Sequence, residues 1–198
     1  MKEIFNQLND LLSTKTSIRE VIPEVEALRI SITDDVELEE FVNFVRGLVQ
    51  REAKWAVIDN GGRGMVILPT GSGKSKVAVD LAKHYYDMPS IEFSLIVPTE
   101  KLRDVSWQEE FYKWNAHDMW CNTTGLCYAS ASKVKEKNLG LLILDEAHNI
   151  TELSSEFFSN NQVEHVVALT ATKPTDQTKL KIFQDLNIPI VYELSLDD

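Results

Sequence analysis

The chain has few of the residues that mark secreted, membrane-spanning or zinc-binding proteins. Cys121 and Cys127 are its only cysteines among 198 residues, and their spacing matches no zinc motif. We therefore expect two free thiols, as in a reducing compartment. No apolar run approaches the ~20 residues of a membrane span, and the start of the chain lacks the segments of a signal peptide. These absences predict a cytoplasmic protein, or one of a host cell's cytoplasm if its source is viral, with no membrane partner.

Basic residues are scarce relative to acidic ones. Lys and Arg number 20 against 31 Asp and Glu, so the net charge is −11. Because an acidic surface repels a polyanion, we do not expect this chain to bind nucleic acid tightly by itself. Any such contact must come from a local patch, or from another domain or chain.

Residues 1–45 form an N-terminal appendage with a pattern of its own. Apolar residues at helical spacing predict a helix over 3–13, and the alternation of apolar and polar residues over 28–32 predicts a strand. Residues 33–35 offer an N-cap and acidic first-turn residues for a long helix that continues toward Ile58. The appendage is therefore predicted to be mainly helical.

From residue 64 onward, apolar strands alternate with helices. Strands are predicted at 65–68, 93–97, 141–144, 166–169 and 190–193, and helices at 75–86, 100–115 and 176–186. This alternation is typical of a mostly parallel sheet covered by helices on both faces. The predicted fold class is α/β, for a domain that covers residues 46–198.

A glycine-rich turn follows the first of these strands, where residues 67–75 read Ile-Leu-Pro-Thr-Gly-Ser-Gly-Lys-Ser. Its glycines permit backbone angles at which successive N–H groups point at phosphate oxygens, and the following helix adds its positive end. Lys74 can reach the β- and γ-phosphates of a nucleotide, and the Ser75 hydroxyl can bind Mg²⁺. The pattern G-x-x-x-x-G-K-S expects glycine where Leu68 stands. The predicted nucleotide ligands are Pro69, Thr70, Gly71, Ser72, Gly73, Lys74 and Ser75.

A carboxylate pair follows the strand over 141–144, in the sequence Leu-Leu-Ile-Leu-Asp-Glu-Ala-His. A carboxylate at the end of a buried parallel strand emerges at the sheet edge where ligands bind. Asp145 is placed to hold Mg²⁺, and Glu146 to orient or deprotonate the attacking water. His148 can link the γ-phosphate to a neighbouring element, for which Thr170 and Thr172 are the candidates. The predicted catalytic residues are Lys74, Asp145, Glu146 and His148.

These motifs resemble those of superfamily 2 helicases and translocases in their DEAH-box form. Residues 68–75 resemble motif I, 97–99 motif Ia, 128–130 motif Ib, 145–148 motif II and 169–172 motif III. The resemblance covers the first RecA-like domain of such enzymes. Its nearest branch contains type I and III restriction enzymes, XPB-type repair helicases and phage UvsW-type helicases. It implies ATP and Mg²⁺ as cofactors, and nucleic acid, DNA more than RNA, as a partner.

The resemblance also gives roles to weaker motifs. Gln50 resembles an upstream glutamine that reads the adenine edge, although Gly-Leu-Val precedes it in place of Arg-Pro-Tyr. The alternative is an ordinary residue of a helix surface. In the family, motifs Ia and Ib touch the backbone of one nucleic-acid strand. That implies contacts from Pro98, Thr99, Tyr128 and Ser130.

Superfamily 2 motors hold ATP between two RecA-like domains, and the second domain supplies arginine fingers. The motifs of a second domain are absent from this sequence, and no arginine follows Arg103. We therefore expect the chain to need a second RecA-like domain or a partner protein for hydrolysis.

Two alternatives stay open. One is a helicase-like module that binds nucleotide or a partner without turnover, as a regulator or decoy. The other is a P-loop kinase or another small-molecule enzyme, against which the DEAH and Thr-Ala-Thr segments argue.

Overall fold

The described part of the first 52 residues is mainly helical. In this computed structural model, which describes residues 2–86 and 92–194, the chain forms two compact units, Met1–Glu52 and Ala53–Asp198. The first unit contains α1 (Lys2–Ser13), a 3₁₀ helix (Ile18–Val21), α2 (Ile22–Ser31) and the beginning of α3 (Asp35–Asp59). The helix predicted over 3–13 is confirmed as α1, and the long helix after residue 35 is confirmed as α3.

The strand predicted over 28–32 is wrong, because nearly all of this segment belongs to α2. A proline stands in the first turn of α2, where its missing N–H is not needed. Val21, Val25 and Ile32 are buried, whereas Ile30 is 75% exposed. Burial therefore follows the period of a helix. An alternation over so few residues does not distinguish a strand from one part of a helix.

The start of α3 is capped within the predicted segment. Asp34 accepts hydrogen bonds through Oδ1 from the N–H groups of Val36 (3.0 Å) and Glu37 (2.9 Å). It thereby satisfies two of the N-terminal donors that a helix leaves unpaired.

The second unit is built on a six-stranded sheet whose paired strands are all parallel. Its strands are β1 (Arg63–Ile67), β2 (Glu92–Val97), β3 (Thr123–Cys127), β4 (Asn138–Leu144), β5 (Gln162–Thr170) and β6 (Ile190–Glu193). Their spatial order is β3-β2-β4-β5-β1-β6. Because the strands run in one direction, their carboxyl ends meet at one edge of the sheet. The loops that carry the sequence motifs follow β1 to β5 and therefore share this edge.

Helices pack on both faces of the sheet, as the predicted fold class requires. They are α4 (Lys74–Tyr85), α5 (Trp107–Lys113), α6 (His117–Cys121), α7 (Tyr128–Ala131), α8 (Glu152–Asn160) and α9 (Gln177–Asp185). Side chains of α7, α8 and α9 pack in one core with Met65, Leu142 and Val166. The alternate strand residues, such as Val66 and Val167, are also fully buried and point to the opposite face. There, α4 packs against β4 and β5. The α/β fold class is confirmed.

The sequence prediction misses several elements of this unit, namely β3, α6, α7 and α8. The sequence does not predict β3, whose residues read Thr-Thr-Gly-Leu-Cys and are mostly half-exposed. This is an edge strand, and its pairing with β2 rather than a run of apolar residues defines it. The helix predicted over 100–115 is confirmed over most of its length, and it contains a π-helical turn, Leu102–Ser106, that leads directly into α5. None of the helices in the described ranges combines the length and apolar character that crossing a membrane requires.

Candidate functional site

The glycine-rich turn between β1 and α4 has left-handed backbone angles at both of its glycines. Gly71 has a φ of 80° and Gly73 a φ of 85°, values that residues with side chains rarely adopt. Among the described residues, no atom lies within 4 Å of a Cβ built at Gly71, so the backbone angle, not space, requires glycine there. Because α4 begins at Lys74, its unpaired N–H groups face the turn. The turn and the helix end together have the geometry that favours an anion.

Leu68 stands where the sequence pattern expects the first glycine of the turn. Its side chain is fully buried, and its N–H donates to the Thr170 carbonyl at 3.0 Å. Position 68 therefore continues the pairing of β1 with β5 by one residue, and the turn begins after it. This placement explains why a large apolar side chain is accommodated there.

The side chains of Lys74 and Ser75 are both hydrogen-bonded. The Lys74 amine donates to the carbonyl oxygens of Leu68 (3.2 Å) and Pro69 (3.5 Å). The Ser75 hydroxyl donates to Oε2 of Glu110, on α5, at 2.8 Å. The lysine thus lies along the turn that the sequence predicts to hold phosphates, and the serine joins the turn to α5.

Asp145 lies at the carboxyl end of β4 with both carboxylate oxygens engaged. Oδ1 accepts from the N–H of Glu146 at 3.0 Å, and Oδ2 accepts from the indole Nε1–H of Trp107 at 2.8 Å. Burial raises the pKa of the Asp145 carboxyl, and the nearby charge of Glu146 raises it further, whereas the Trp107 hydrogen bond and the Lys74 charge act in the opposite direction. The effect of desolvation on the pKa is larger than the effects that oppose it, so the negative charge of Asp145 is unfavourable in this position. A bound cation would offset that charge.

Glu146 adopts a strained backbone conformation next to this carboxylate. Its φ is 46°, in a region that non-glycine residues rarely occupy. Its side chain is 33% exposed, and Oε2 lies 3.4 Å from Nδ1 of His148. Strain of this kind concentrates at functional sites. The carboxylate is therefore held near Asp145 while it stays accessible to water.

A hydrogen-bond network connects the loop after β4 with the end of β5. Nδ1 of His148 lies 3.1 Å from the Thr170 hydroxyl oxygen. The Thr170 hydroxyl donates to the Thr172 carbonyl at 3.0 Å and accepts from the Thr172 N–H at 3.1 Å. Thr170 is fully buried. The structure thus brings His148 and Thr170 together, whereas Thr172 contributes its backbone to the network.

The four residues predicted to touch nucleic acid differ in position. After β2, Pro98 is half-buried and Thr99 is exposed. Ser130 is half-buried, and its hydroxyl donates to the Cys127 carbonyl at 3.1 Å. Tyr128 is only 8% exposed, and its hydroxyl donates to the Asp145 carbonyl at 2.9 Å. Burial raises the pKa of the Tyr128 hydroxyl well above its ordinary value. The hydroxyl thus supports the end of β4 from inside the core, and the contact of this residue with nucleic acid stays a prediction.

Trp107 and Glu110 are the residues of the site that sequence reasoning missed. Both belong to α5, and each hydrogen-bonds a residue of the two strongest motifs. The only signal in the sequence that could have identified them is their spacing, since they stand about one helical turn apart on an element that follows β2. Gln50, by contrast, lies on α3 in the first compact unit and is half-buried, so its adenine contact stays a prediction.

The donors at this edge suit Mg²⁺ carried by a triphosphate better than a metal enclosed by protein. In the ranges the structure describes, no group of three or more His, Cys, Asp and Glu side chains is arranged to hold a metal. Mg²⁺ in nucleotide sites takes only one or two protein ligands and completes its shell with water and phosphate oxygens. A hydroxyl from Ser75 and a carboxylate from Asp145 would be ligands of the type and number that such a Mg²⁺ ion takes.

Comparison with known proteins agrees with these motifs. Residues 38–127 match the family described as type III restriction enzyme, res subunit. The chain is 28% identical to the DNA 3'-5' translocase XPB2 of Sulfurisphaera tokodaii, over 69% of this chain and 33% of that protein. It therefore spans about a third of the length of that relative.

Solved structures share the fold. The UvsW helicase of bacteriophage T4 superposes with a TM-score of 0.58 at 19% identity, over 72% of this chain and 58% of that one. The Hef helicase domain of Pyrococcus furiosus gives a TM-score of 0.58 at 16% identity, over 78% of this chain and 38% of that one. The predicted resemblance is therefore confirmed: the chain is similar in sequence to superfamily 2 helicases and translocases and has the fold of their RecA-like domain.

Proposed function

We propose that this chain is the ATP-binding domain of a nucleic-acid-dependent ATPase of the helicase and translocase type, the first of its two RecA-like domains. The observation that supports it best is the convergence of the glycine turn, Asp145, Glu146 and the His148–Thr170 contact at one edge of the sheet. A phosphate-binding turn alone fits many enzymes. Its combination with a buried carboxylate and a histidine bridge to the next strand fits a motor ATPase.

Each residue of the site has a distinct role in this proposal. The amides of the turn and the Lys74 amine bind the phosphates, and Lys74 exchanges its carbonyl partners for phosphate oxygens. Ser75 and Asp145 hold Mg²⁺, which neutralises charge on the phosphate oxygens. Glu146, partly exposed, orients the attacking water and accepts its proton. His148 passes any displacement of the loop after β4 to Thr170 at the end of β5.

The proposal includes a second RecA-like domain or a partner protein that supplies arginines. The unit Ala53–Asp198 contains two arginines, and both are engaged in internal hydrogen bonds. Arg63 donates to the carbonyl oxygens of Val163, Glu164 and Leu186, and Arg103 forms a two-point ion pair with Asp104. Transition-state charge on the γ-phosphate would therefore be stabilised from outside this unit. The similar protein XPB2 is described as a DNA translocase, which favours DNA as the partner nucleic acid.

Binding of a fluorescent ATP analogue in the presence of Mg²⁺ tests the site. Lys74→Ala is expected to weaken binding by about 10- to 100-fold, because charge-assisted hydrogen bonds to phosphate contribute about 1.5–3 kcal/mol. Glu146→Gln is expected to leave the affinity nearly unchanged, because the water-orienting carboxylate does not hold the nucleotide. Lys133→Ala, which removes an exposed lysine of the same chain, is the matched control. Normal binding by Lys74→Ala with loss of binding in Glu146→Gln would contradict these roles.

A further inference from the structure

Helix α5 contacts both side chains that are predicted to hold the metal ion. Its Trp107 donates to Oδ2 of Asp145, and its Glu110 accepts from the hydroxyl of Ser75, each at 2.8 Å. The two α5 residues stand three positions apart and therefore lie on the same face of the helix. One short element thus connects the carboxylate after β4 with the hydroxyl at the start of α4.

Both α5 side chains are themselves fixed in place. Trp107 is 3% exposed, and its ring packs against that of Phe111 with 6.2 Å between centroids. Glu110 is 29% exposed, and the same Oε2 that accepts from Ser75 also accepts from Nε1 of Trp114 at 3.1 Å. A packed indole and a carboxylate held by a second indole have little freedom to turn away from the site.

The directions of these hydrogen bonds leave the metal-binding electron pairs free. A serine hydroxyl has one hydrogen and two lone pairs, so donating its hydrogen to Glu110 leaves both lone pairs of Ser75 for other partners. A carboxylate has about four lone-pair positions. The N–H groups of Trp107 and Glu146 occupy two of them on Asp145, one on each oxygen. Both groups are therefore oriented and still able to bind a cation.

We propose that Trp107 and Glu110 are positioning residues of the Mg²⁺ site, which orient Asp145 and Ser75 through these two hydrogen bonds. The inference rests on the proposed function, because it concerns the metal that accompanies the nucleotide. The inference goes beyond the proposed function because it gives α5 a part in metal binding. Neither residue touches the metal or the phosphates. Each acts through the ligand that it holds.

The test compares binding of a fluorescent ATP analogue in Mg²⁺ and in EDTA, together with the melting temperature of every variant. Trp107→Phe keeps an aromatic ring and removes the donor. Glu110→Leu removes the acceptor, whereas Glu110→Gln keeps a carbonyl oxygen that can accept from Ser75. Trp120→Phe, at a half-buried indole of α6, and Glu109→Leu, at an exposed neighbour on α5, are the matched controls.

The ratio of the affinity in Mg²⁺ to the affinity in EDTA measures what Mg²⁺ contributes to binding. We expect this ratio to be about 10-fold smaller in Trp107→Phe and Glu110→Leu than in the wild type, in line with the effect of removing partners of metal ligands. Their affinity in EDTA should stay within about 2-fold of the wild type, because the turn is intact. Glu110→Gln and both controls should keep the full effect of Mg²⁺. A role in packing alone would lower both affinities together with the melting temperature.

Three results would overturn the inference. The first is a Mg²⁺ effect in Trp107→Phe and Glu110→Leu that equals that of the controls. The second is equal behaviour of Glu110→Gln and Glu110→Leu, since shape rather than the acceptor would then matter. The third is a loss of affinity in EDTA that matches the loss in Mg²⁺. If the wild type binds no nucleotide at all, the proposed function itself fails, and this inference fails with it.

Discussion

Asp145 carries a charge at a position that is largely shielded from water. Burial raises the pKa of its carboxyl, and the Trp107 hydrogen bond only partly offsets that effect. A carboxyl whose pKa is higher in the folded than in the unfolded chain favours folding at a pH below its ordinary pKa. That contribution is lost as the pH rises through the folded pKa. At neutral pH, the charged carboxylate therefore lowers the stability of the protein.

Replacing Asp145 by Asn is expected to raise the melting temperature at neutral pH in EDTA. The amide has nearly the same shape, carries no charge, and its oxygen can still accept from Trp107. The gain should shrink as the pH falls through the Asp145 pKa, because the wild-type carboxyl then becomes neutral too. Thermal unfolding between about pH 4 and pH 7 measures this change in the gain. Asp176→Asn, at the N-cap of α9, is the control. A gain of Asp145→Asn that does not depend on pH would show that the buried charge is not its cause.

At the scale of single residues, the sequence predicts the position of the candidate site residues better than the contacts that support them. The glycine turn and the Asp-Glu pair follow from spacing, because each needs certain residue types next to a strand end. Tyr128 makes a contact that the sequence does not predict. Its place in a motif predicts a surface contact, but its ring is buried and its hydroxyl holds the Asp145 carbonyl. Such a contact depends on which strands are neighbours, and local sequence does not contain that information.

At the scale of elements, the entry into β1 depends on two adjacent glycines with different surroundings. Gly61 and Gly62 both have positive φ values, 70° and 79°. A Cβ at Gly62 would lie 2.2 Å from Nδ1 of His165 and 2.7 Å from the Tyr85 hydroxyl. Among the described residues, nothing lies within 4 Å of a Cβ at Gly61. The two positions therefore separate the effect of the backbone angle from that of the close contact.

Gly62→Ala is expected to destabilise the protein more than Gly61→Ala. Each substitution requires a left-handed angle that costs an alanine about 1–2 kcal/mol. Gly62→Ala must also displace the stacked rings of Tyr85 and His165, whose centroids are 4.1 Å apart, and overpacking of this kind costs about 1–3 kcal/mol more. Urea unfolding of both variants measures the difference. Equal losses would show that the rings move aside without cost.

The elements that the sequence misses share one physical cause. β3 has few apolar residues because it is an edge strand, and pairing with β2 defines it. α2 contains a short alternation that resembles a strand, although burial over the whole helix follows the helical period. The central strands β1, β4 and β5 are predicted over the segments that are buried on both faces and read as apolar runs, whereas the half-exposed first half of β5 is missed. Local pattern thus suffices where burial is complete, and tertiary pairing decides the rest.

At the scale of the whole molecule, charge and arginine placement limit what this chain can do alone. The net charge is −11, and both arginines of Ala53–Asp198 are engaged inside that unit. An acidic protein attracts a polyanion weakly, so its contact with DNA should be weak and should fall steeply as salt is added. In the proposed function, this unit binds the nucleotide, and an arginine from outside the unit stabilises the transition-state charge.

We therefore expect the chain to bind ATP and hydrolyse it slowly, with or without duplex DNA. Loss of an arginine finger lowers the rate of phosphoryl transfer by about 10³- to 10⁵-fold in related chemistry. Turnover is measured by phosphate release at saturating nucleotide, and the rate of Glu146→Gln is subtracted as the background from contaminating enzymes. A partner chain that raises turnover should do so with the wild type and not with Glu146→Gln. Fast, DNA-stimulated hydrolysis by the chain alone would show that the site is complete without a second domain. If the chain binds ATP and no partner chain raises its turnover, the result would favour a module that binds without catalysis.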